Sequence, residues 1–328
     1  MTAAAVDSAV DFSEQQVKKL VVSVVIPVFN EEACLPELFR RLDGLANKMD
    51  GKALVEFIFI NDGSSDSSYK LLRAQADRSP AYKTVNLSRN FGHQIAVTAG
   101  IDASSGDYVA IIDADLQDPP ELIEDMFDLA QTGYDTVYGQ RRERPGETWF
   151  KKATASWFYR FLQKLSDTPI PPNTGDFRLM SRRVADKLAD MKERNRFLRG
   201  MIPWIGYRST PLMYDRDERY AGTTKYPLRK MVELAVSGIT SFSAKPLLLF
   251  VRLGVLLIGV GAASALVLLY LKFFTDTVVP GITSVLISIL VFNGLQIMII
   301  GVVGTYVAKV FDEIKGRPLY VVSETINL

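Results

Sequence analysis

Short apolar runs divided by polar clusters set the pattern of the first half of the chain. Leu20 to Val28 is a β-branched run closing with Pro27 and the loop Phe29-Asn30-Glu31-Glu32, the pattern of a buried strand. Apolar residues then return at helical spacing in Leu35, Leu38, Phe39, Leu42 and Leu45. Leu54 to Ile60 predicts a second strand. It is stopped by Asn61-Asp62-Gly63-Ser64-Ser65-Asp66, whose turn and capping residues lead into a helix near Tyr69. Thr84 to Leu87 reads as a short strand and Gln94 to Ser104 as a helix rich in small residues. Asp107 to Ile112 reads as a further strand, ended by Asp113-Ala114-Asp115. This alternation predicts an α/β domain whose mainly parallel sheet is covered by helices.

The pattern changes near Pro246. From Leu247 to Leu271 the only charge is Arg252, and from Pro280 to Ala308 there is none. Both stretches exceed the roughly 20 apolar residues that cross a bilayer, so the expectation is a transmembrane hairpin with spans at 247–271 and 281–308. The alternative is a pair of helices buried in a large soluble core. Arg229, Lys230 and Lys245 precede the first span and Lys309, Lys315 and Arg317 follow the second, against Lys272 in the loop. Basic flanks of this kind predict a multi-pass protein with its soluble domain and both termini cytoplasmic, and the membrane is expected to be the plasma (inner) membrane. Gly254, Gly259, Gly261, Gly294, Gly301 and Gly304 permit close helix approach, and a homo-oligomer is expected. Arg252, near the start of the first span, is expected to snorkel to the interface.

Two further segments, 148–165 and 226–244, mix aromatic and aliphatic residues with Lys and Arg. Each reads either as an interfacial helix or as a helix packed on the soluble core. The layout is then a tail at 1–19, a catalytic domain at 20–226, a juxtamembrane amphipathic segment at 227–246, the hairpin at 247–308 and a C-terminal tail at 309–328. The leader carries Asp7, Asp11 and Glu14, with neither a basic start nor a long apolar run, and does not read as a secretory signal.

Charge and composition narrow the chemistry. Net charge is +1 over 328 residues, so no field of one sign points to nucleic acid, and anionic ligands must be met by local clusters. A single cysteine, Cys34, excludes an internal disulfide framework and multi-Cys zinc sites; a single histidine, His93, excludes His-rich ones. Neither is assigned a role in catalysis. No G-x-G-x-x-G follows the first strand and no P-loop lysine motif appears, which argues against nicotinamide and Walker-type chemistry.

Open α/β sheets bind ligands beyond the carboxyl ends of their strands. Those ends here carry Pro27 to Glu31, Asp62, and Asp113 to Gln117. Asp113 and Asp115, two apart at the end of a buried strand, repel one another unless a cation lies between them. Hard oxygen donors suit Mg²⁺ or Mn²⁺ held partly by substrate phosphates, with the Gln117 carbonyl as a third ligand.

Several stretches resemble glycosyltransferase family 2, and within it the polyprenyl-phosphate glycosyltransferases similar to dolichol-phosphate mannose synthase. They are Val25-Ile26-Pro27-Val28-Phe29-Asn30-Glu31-Glu32, Phe59-Ile60-Asn61-Asp62-Gly63-Ser64-Ser65-Asp66, Leu87-Ser88-Arg89-Asn90-Phe91-Gly92-His93 and Asp113-Ala114-Asp115-Leu116-Gln117-Asp118-Pro119-Pro120. Gly175-Asp176-Phe177-Arg178-Leu179 and Arg219-Tyr220-Ala221-Gly222-Thr223-Thr224-Lys225-Tyr226 continue the series. The two C-terminal spans resemble the bacterial undecaprenyl-phosphate branch, whose members often transfer glucose.

The resemblance implies a GT-A catalytic domain and a role for each motif. Pro27, Asn30, Glu31 and Asp62, with Asp113, would hold the nucleotide, and Asp113, Asp115 and Gln117 the metal on its diphosphate. Asp176 and Arg178 would lie near the sugar and the reacting phosphates. Arg219, Thr224 and Lys225 would close over the donor or receive the acceptor phosphate, where relatives often carry Ser in place of Thr224. Asp115, Asp176, Arg219 and Lys225 are the expected catalytic residues. The implied reaction is an inverting single displacement carrying a hexose, glucose from UDP-glucose first and mannose or another sugar behind it, to undecaprenyl phosphate.

Charge supports that reading. Negative charge develops on the leaving diphosphate, where a metal and basic residues stabilise it. A phosphate monoester, with a second pKa of about 6, is already anionic at neutral pH, so a lipid phosphate acceptor needs no general base. Asp176 then either positions substrate or, for a hydroxyl acceptor, acts as base. Among Arg196, Arg199, Arg208, Arg216, Arg219 and Lys225, the expected receivers of the acceptor phosphate are Arg219 and Lys225, with Arg196 third. The rival from another class is an inactive membrane scaffold of the same fold; intact Asp62, Asp113 and Asp115 argue against it.

Overall fold

The computed structural model describes residues 19–142, 174–217, 245–274 and 281–328. Strands β1 (Val21–Val28), β2 (Leu54–Asn61), β3 (Tyr82–Leu87) and β4 (Tyr108–Ile111) alternate with helices α1 (Leu35–Met49), α2 (Ser68–Arg78) and α3 (His93–Ala103). Then come α4 (Leu122–Gln131), β5 (Thr136–Arg141), β6 (Thr174–Ser181), α5 (Arg182–Asp190), α6 (Leu198–Ile205) and β7 (Ser209–Tyr214). Two long helices, α7 (Lys245–Phe274) and α8 (Ile282–Ile314), precede a last strand, β8 (Val322–Ile326). The eight strands form one sheet in the order β7-β5-β6-β4-β1-β2-β3-β8. β1 pairs in parallel with β2 and β4, and β2 with β3, as the alternation predicts. β6 runs antiparallel between β4 and β5 and β8 antiparallel to β3, so a parallel core, β4-β1-β2-β3, has antiparallel pairings on both sides.

β1 has no polar face because both of its faces are covered. Val24 and Ile26 pack with Leu35, Leu38, Leu42 and Leu45 of α1, while Val25 packs with Val97 and Ile101 of α3 on the other side. The small residues of α3 let it lie close to the sheet: a Cβ at Gly100 would stand 2.2 Å from Val25 Cγ1. Pro27 is tolerated in this central strand because the paired residues of β1 and β4 stop at Val25 and Ile111. The missing amide of Pro27 falls where the two strands part, and that parting opens the crevice.

The C-terminal region departs from the expected tail. α8 continues to Ile314, and β8 returns to the sheet antiparallel to β3, with Thr84 opposite Ile326 and Asn86 opposite Glu324. The Asn327 side chain donates to the carbonyls of Ala76 and Tyr82 at 2.8 and 3.0 Å, and Tyr320 Oη to Asp102 Oδ2 at 2.9 Å. Two crossings were expected. Among the described residues, one stretch, Phe292–Ile314, is long and apolar enough to cross a membrane, with mean hydropathy 1.7 and none of it buried. α7 is a 30-residue helix carrying a shorter apolar stretch, Phe250–Ser264. Residues 1–18, the segment 148–165 and the stretch 226–244 lie outside the described residues.

Candidate active site

Two loops at the carboxyl ends of β1 and β2 are stapled together by the residues expected to hold the nucleotide. Asn30 adopts φ 57°, a conformation Asn tolerates, and its Oδ1 accepts from the Ser65 amide at 2.8 Å. Its own amide donates to Ser64 Oγ at 3.0 Å, and the Glu31 amide donates to Ser68 Oγ at 2.9 Å. Asp62 is buried and accepts from the amides of Phe91 and Gly92 at 2.7 and 3.0 Å, which fixes the next loop beside it. Burial raises the Asp62 pKa despite those two amides. Gly63 is required here: its φ is 67°, and a Cβ would stand 2.5 Å from the Arg89 carbonyl carbon. Pro27 is buried at the end of β1, directly beneath these loops.

The acidic loop follows β4. Leu116, a buried non-glycine residue, sits at φ 60°, a strained turn of the kind that gathers at functional sites. The bend brings the Gln117 amide to Asp115 Oδ1 at 3.1 Å. Asp113 Oδ1 is buried without a hydrogen-bond partner and lies 3.5 Å from His93 Nε2. Burial, opposed by His93 and reinforced by Asp176, Asp118 and Asp115, pushes the Asp113 carboxyl up to about 6. Among the described residues no three His, Cys, Asp or Glu side chains form a complete metal cage. That donor set fits a Mg²⁺- or Mn²⁺-type ion, which takes one or two carboxylates from protein and the remainder from phosphate and water. A carboxylate oxygen buried without a partner, inside a patch of like charge, is the feature that a cation satisfies.

β6 places Asp176 opposite this loop. Ile111, the last paired residue of β4, stands opposite Arg178 in the antiparallel register, and beyond it Asp113 and Asp176 both come within 3.5 Å of His93 Nε2. Asp176 is 3% exposed. It accepts from Arg199 Nε and Nη2 at 2.9 and 3.1 Å and from Gln94 Nε2 at 3.0 Å, and lies 3.2 Å from His93 Nε2. Burial alone would raise its pKa, but the His93 bond and the Arg199 guanidinium hold the carboxyl far below the usual range. A carboxylate so saturated is a poor proton acceptor. Burial disfavours a charged His93, yet the bond to Asp176 and the fields of Asp113 and Asp176 outweigh it and push the imidazole up to about 9. His93, read from sequence as structural, thus bridges the two acidic groups of the crevice. Arg178 is buried as well, bonded to the carbonyls of Gly175 and Asp176, and burial lowers its pKa to about 10.

The basic residues separate clearly. Arg196 is buried and donates to the carbonyls of Met191 and Leu188 at 2.5 and 2.8 Å, capping the end of α5. Its expected part as an acceptor group has no support in that geometry, because those carbonyls hold its guanidinium inside the fold. Arg199, three residues on, is the arginine that reaches the crevice. Spacing along the chain does not reveal this, since it is the packing of α6 on β6 that brings Arg199 to Asp176. Arg216 Nε lies 3.4 Å from Asp118 and Arg208 stacks over Tyr134. Arg219, Thr224 and Lys225 lie outside the described residues.

Residues 23–189 match glycosyl transferase family 2. An uncharacterized glycosyltransferase of Bacillus subtilis is 47% identical over 93% of this chain and 94% of its own. The bactoprenol glucosyl transferase of Shigella phage SfII is 37% identical over 93% and 98%. The chain belongs to glycosyl transferase family 2. This glycosyltransferase therefore carries its family's domain on the β1–β6 half of the fold, and its similarity to curated relatives continues into the C-terminal helices. A solved structure, glucosyl-3-phosphoglycerate synthase from Mycobacterium tuberculosis with phosphoglyceric acid, aligns with 67% of this chain and 78% of its own at TM-score 0.44 and 19% identity.

Proposed function

We propose that this glycosyltransferase moves a hexose, glucose from UDP-glucose, onto a polyprenyl phosphate such as undecaprenyl phosphate by a metal-dependent inverting single displacement. The observation that carries the reading is the contrast across the crevice. Asp113 presents a buried oxygen without a hydrogen-bond partner beside Asp115, whereas the carboxylate facing it, Asp176, is saturated by Arg199, Gln94 and His93. A cation-hungry loop facing a carboxylate that is, among the described residues, too well satisfied to take a proton suits an acceptor that arrives already anionic. A hydroxyl acceptor would need a base. Relatives named bactoprenol glucosyl transferases, 37% identical over 93% of the chain, favour glucose as the sugar and the polyprenyl carrier as the acceptor.

In this reading Pro27, Asn30, Glu31 and Asp62 frame the nucleotide, and Asp113, Asp115 and Gln117 hold Mg²⁺ or Mn²⁺. A divalent cation, when bound, offsets charge on the departing diphosphate. Arg178 and Arg199 add fixed positive charge on the opposite wall. The Asp217 amide donates to the Gln117 carbonyl at 3.0 Å, which holds the end of the segment 174–217 against the acidic loop. In this reading Arg219, Thr224 and Lys225 act on the phosphates.

Parity favours the two-span arrangement. β3 precedes α7 and β8 follows α8, yet the two strands pair. An odd number of crossings would place them on opposite sides of the bilayer. If Phe292–Ile314 crosses, α7 crosses too, and a 30-residue helix of about 45 Å exceeds the roughly 30 Å hydrocarbon core. This supports a two-span protein with its catalytic domain on the basic, cytoplasmic side.

The test uses purified protein, Mn²⁺ or Mg²⁺, undecaprenyl phosphate and a panel of radiolabelled nucleotide sugars, following label into the organic phase beside Asp115→Ala. Metal-dependent transfer from UDP-glucose, absent in the variant, is expected. Nucleotide binding without transfer to lipid from any donor would sink the reading and favour another acceptor or an inactive scaffold.

A further inference from the structure

The acidic loop turns on a bend that the chain does not favour. Leu116 holds φ 60° with Asp113 and Asp115 before it and Gln117 and Asp118 after it, a conformation that persists only where the surroundings over-determine it. Beyond the bend the loop is stiff. Pro119 restricts the backbone of Asp118, and α4 starts directly behind, with the amides of Leu122 and Ile123 donating to the carbonyls of Pro119 and Pro120. Arg41 of α1 donates to the Glu121 carboxylate through Nε and Nη2 at 2.8 and 2.5 Å. Between this stiff part and the bend stands Asp118, 1% exposed, whose Oδ1 accepts from Tyr214 Oη at the end of β7.

Tyr214 is fixed in turn. Its ring packs edge-on against Phe177 with centroids 5.7 Å apart. Both rings lie against Gly139 of β5, where a Cβ would stand 2.8 Å from Phe177 Cδ1 and 2.9 Å from Tyr214 Cε1. Burial and the Asp118 carboxylate raise the Tyr214 pKa, so the hydroxyl keeps its proton. It accepts from Arg141 Nε at 3.3 Å and donates to Asp118, which sets the direction of the bond. Three residues on, the Asp217 amide donates to the Gln117 carbonyl at 3.0 Å. The stretch 214–217 thus holds both residues after the bend, Gln117 by its backbone and Asp118 by its side chain.

An anchor alone does not call for a charge. Arg216 Nε at 3.4 Å and Arg141 Nη2 at 3.9 Å offset the Asp118 charge. Among the described residues, however, Asp118 Oδ2 is buried without a hydrogen-bond partner, and a neutral acceptor would take the tyrosine's bond at lower cost. Asp118 also belongs to the field around Asp113: burial, with Asp176, Asp118 and Asp115 acting against His93, raises the Asp113 carboxyl. Negative charge gathered in this way opposes folding of the protein alone and favours a cation once one is bound.

We infer that Asp118 is a positioning residue of the cation site, fixing the bend that presents Asp113, Asp115 and Gln117 through its bond to Tyr214 and adding its own charge to theirs. This rests on the cation site proposed above.

The experiment titrates the full-length protein in detergent with Mn²⁺, followed by electron paramagnetic resonance, beside calorimetric UDP affinity in EDTA and thermal melting. Asp118→Asn keeps an acceptor for Tyr214 and loses the charge; Tyr214→Phe keeps the ring and loses the bond. Removing a group that supports metal ligands typically weakens metal affinity by about 10- to 100-fold. The Mn²⁺ Kd should therefore rise about ten-fold in Asp118→Asn and by less in Tyr214→Phe, with UDP affinity in EDTA unchanged in both. Unchanged Mn²⁺ affinity in either variant overturns the inference, whatever melting does, and leaves Asp118 as a buried structural residue. Equal loss of UDP affinity in EDTA marks general loosening of the crevice and also counts against it. Gly139→Ala, which crowds the Tyr214 and Phe177 rings without touching a polar side chain, should weaken Mn²⁺ binding as Tyr214→Phe does; a fall in melting alone tells against the tie. Wild-type protein that binds UDP but no Mn²⁺ defeats the cation site and the inference with it, whereas wild-type binding with unchanged variants defeats the inference alone.

Discussion

The end of β4 and the start of β6 each bring an aspartate to the same crevice, and the fold treats the two in opposite ways. Asp176 is surrounded by donors and held ionised; Asp113 has a buried oxygen without a hydrogen-bond partner and is pushed toward its neutral form. The difference lies in the neighbours. β6 faces α3 and α6, which supply Gln94, His93 and Arg199, whereas the loop after β4 faces its own acids, Asp115 and Asp118. One carboxylate has its hydrogen-bonding capacity filled by protein. The other keeps an unsatisfied oxygen, which the proposed cation would meet at some cost in stability.

The largest test of that contrast is Asp176→Asn. Removing one partner of a buried ion pair costs about 3 kcal/mol, toward the lower end of the usual range because Arg199 is partly exposed, and it also releases Arg199 and His93. A fall of several degrees in melting temperature together with lost transfer is expected; an unchanged melt would mean that the cluster is not structural. Asp115→Ala tests the other carboxylate pole and should lower sugar transfer by about 10²–10³-fold with little change in melting. Mn²⁺ binding followed by electron paramagnetic resonance should fall with it.

A sharper comparison comes from Asp113→Asn in EDTA. With like-charge repulsion relieved, this variant should melt about 2–4 °C higher than wild type, the opposite sign to Asp176→Asn. Adding Mn²⁺ should raise the wild-type melting temperature and leave the variant unmoved. Equal and same-signed effects of the two Asp→Asn changes would break the contrast altogether.

The smallest effect is in pH. A carboxyl whose folded pKa is depressed contributes stability that is complete above its ordinary value of about 4 and is lost as pH falls through the depressed one. Melting temperature should therefore drop between about pH 4 and pH 2 in wild type, and Asp176→Asn should flatten part of that limb. Identical acid limbs would show that Asp176 is not held as low as its partners imply.

Much of the parallel half was legible in the sequence because its code is local. β-Branched runs, helical spacing and turn clusters placed β1 to β4 and α1 to α3, and the acids at the strand ends marked the crevice, since open α/β sheets put ligands there. β8 escaped notice because Val322 to Ile326 is five residues long with three polar positions, and its strand character comes from the β3 edge it joins. Arg196 and Arg199 are alike in sequence; one caps α5 and the other grips Asp176, a distinction set by how α6 packs.

By itself the sequence determined the family, the alternating sheet, the acidic loop after β4 and the apolar C-terminal helices, because each is written in neighbouring residues. Tertiary structure alone decided that Asp176 stands opposite Asp113, that His93 joins them, that Arg199 rather than Arg196 faces the crevice, and that the chain's end closes the sheet beside β3. Those outcomes depend on residues up to 255 positions apart meeting in space, and no local pattern encodes a meeting of that kind.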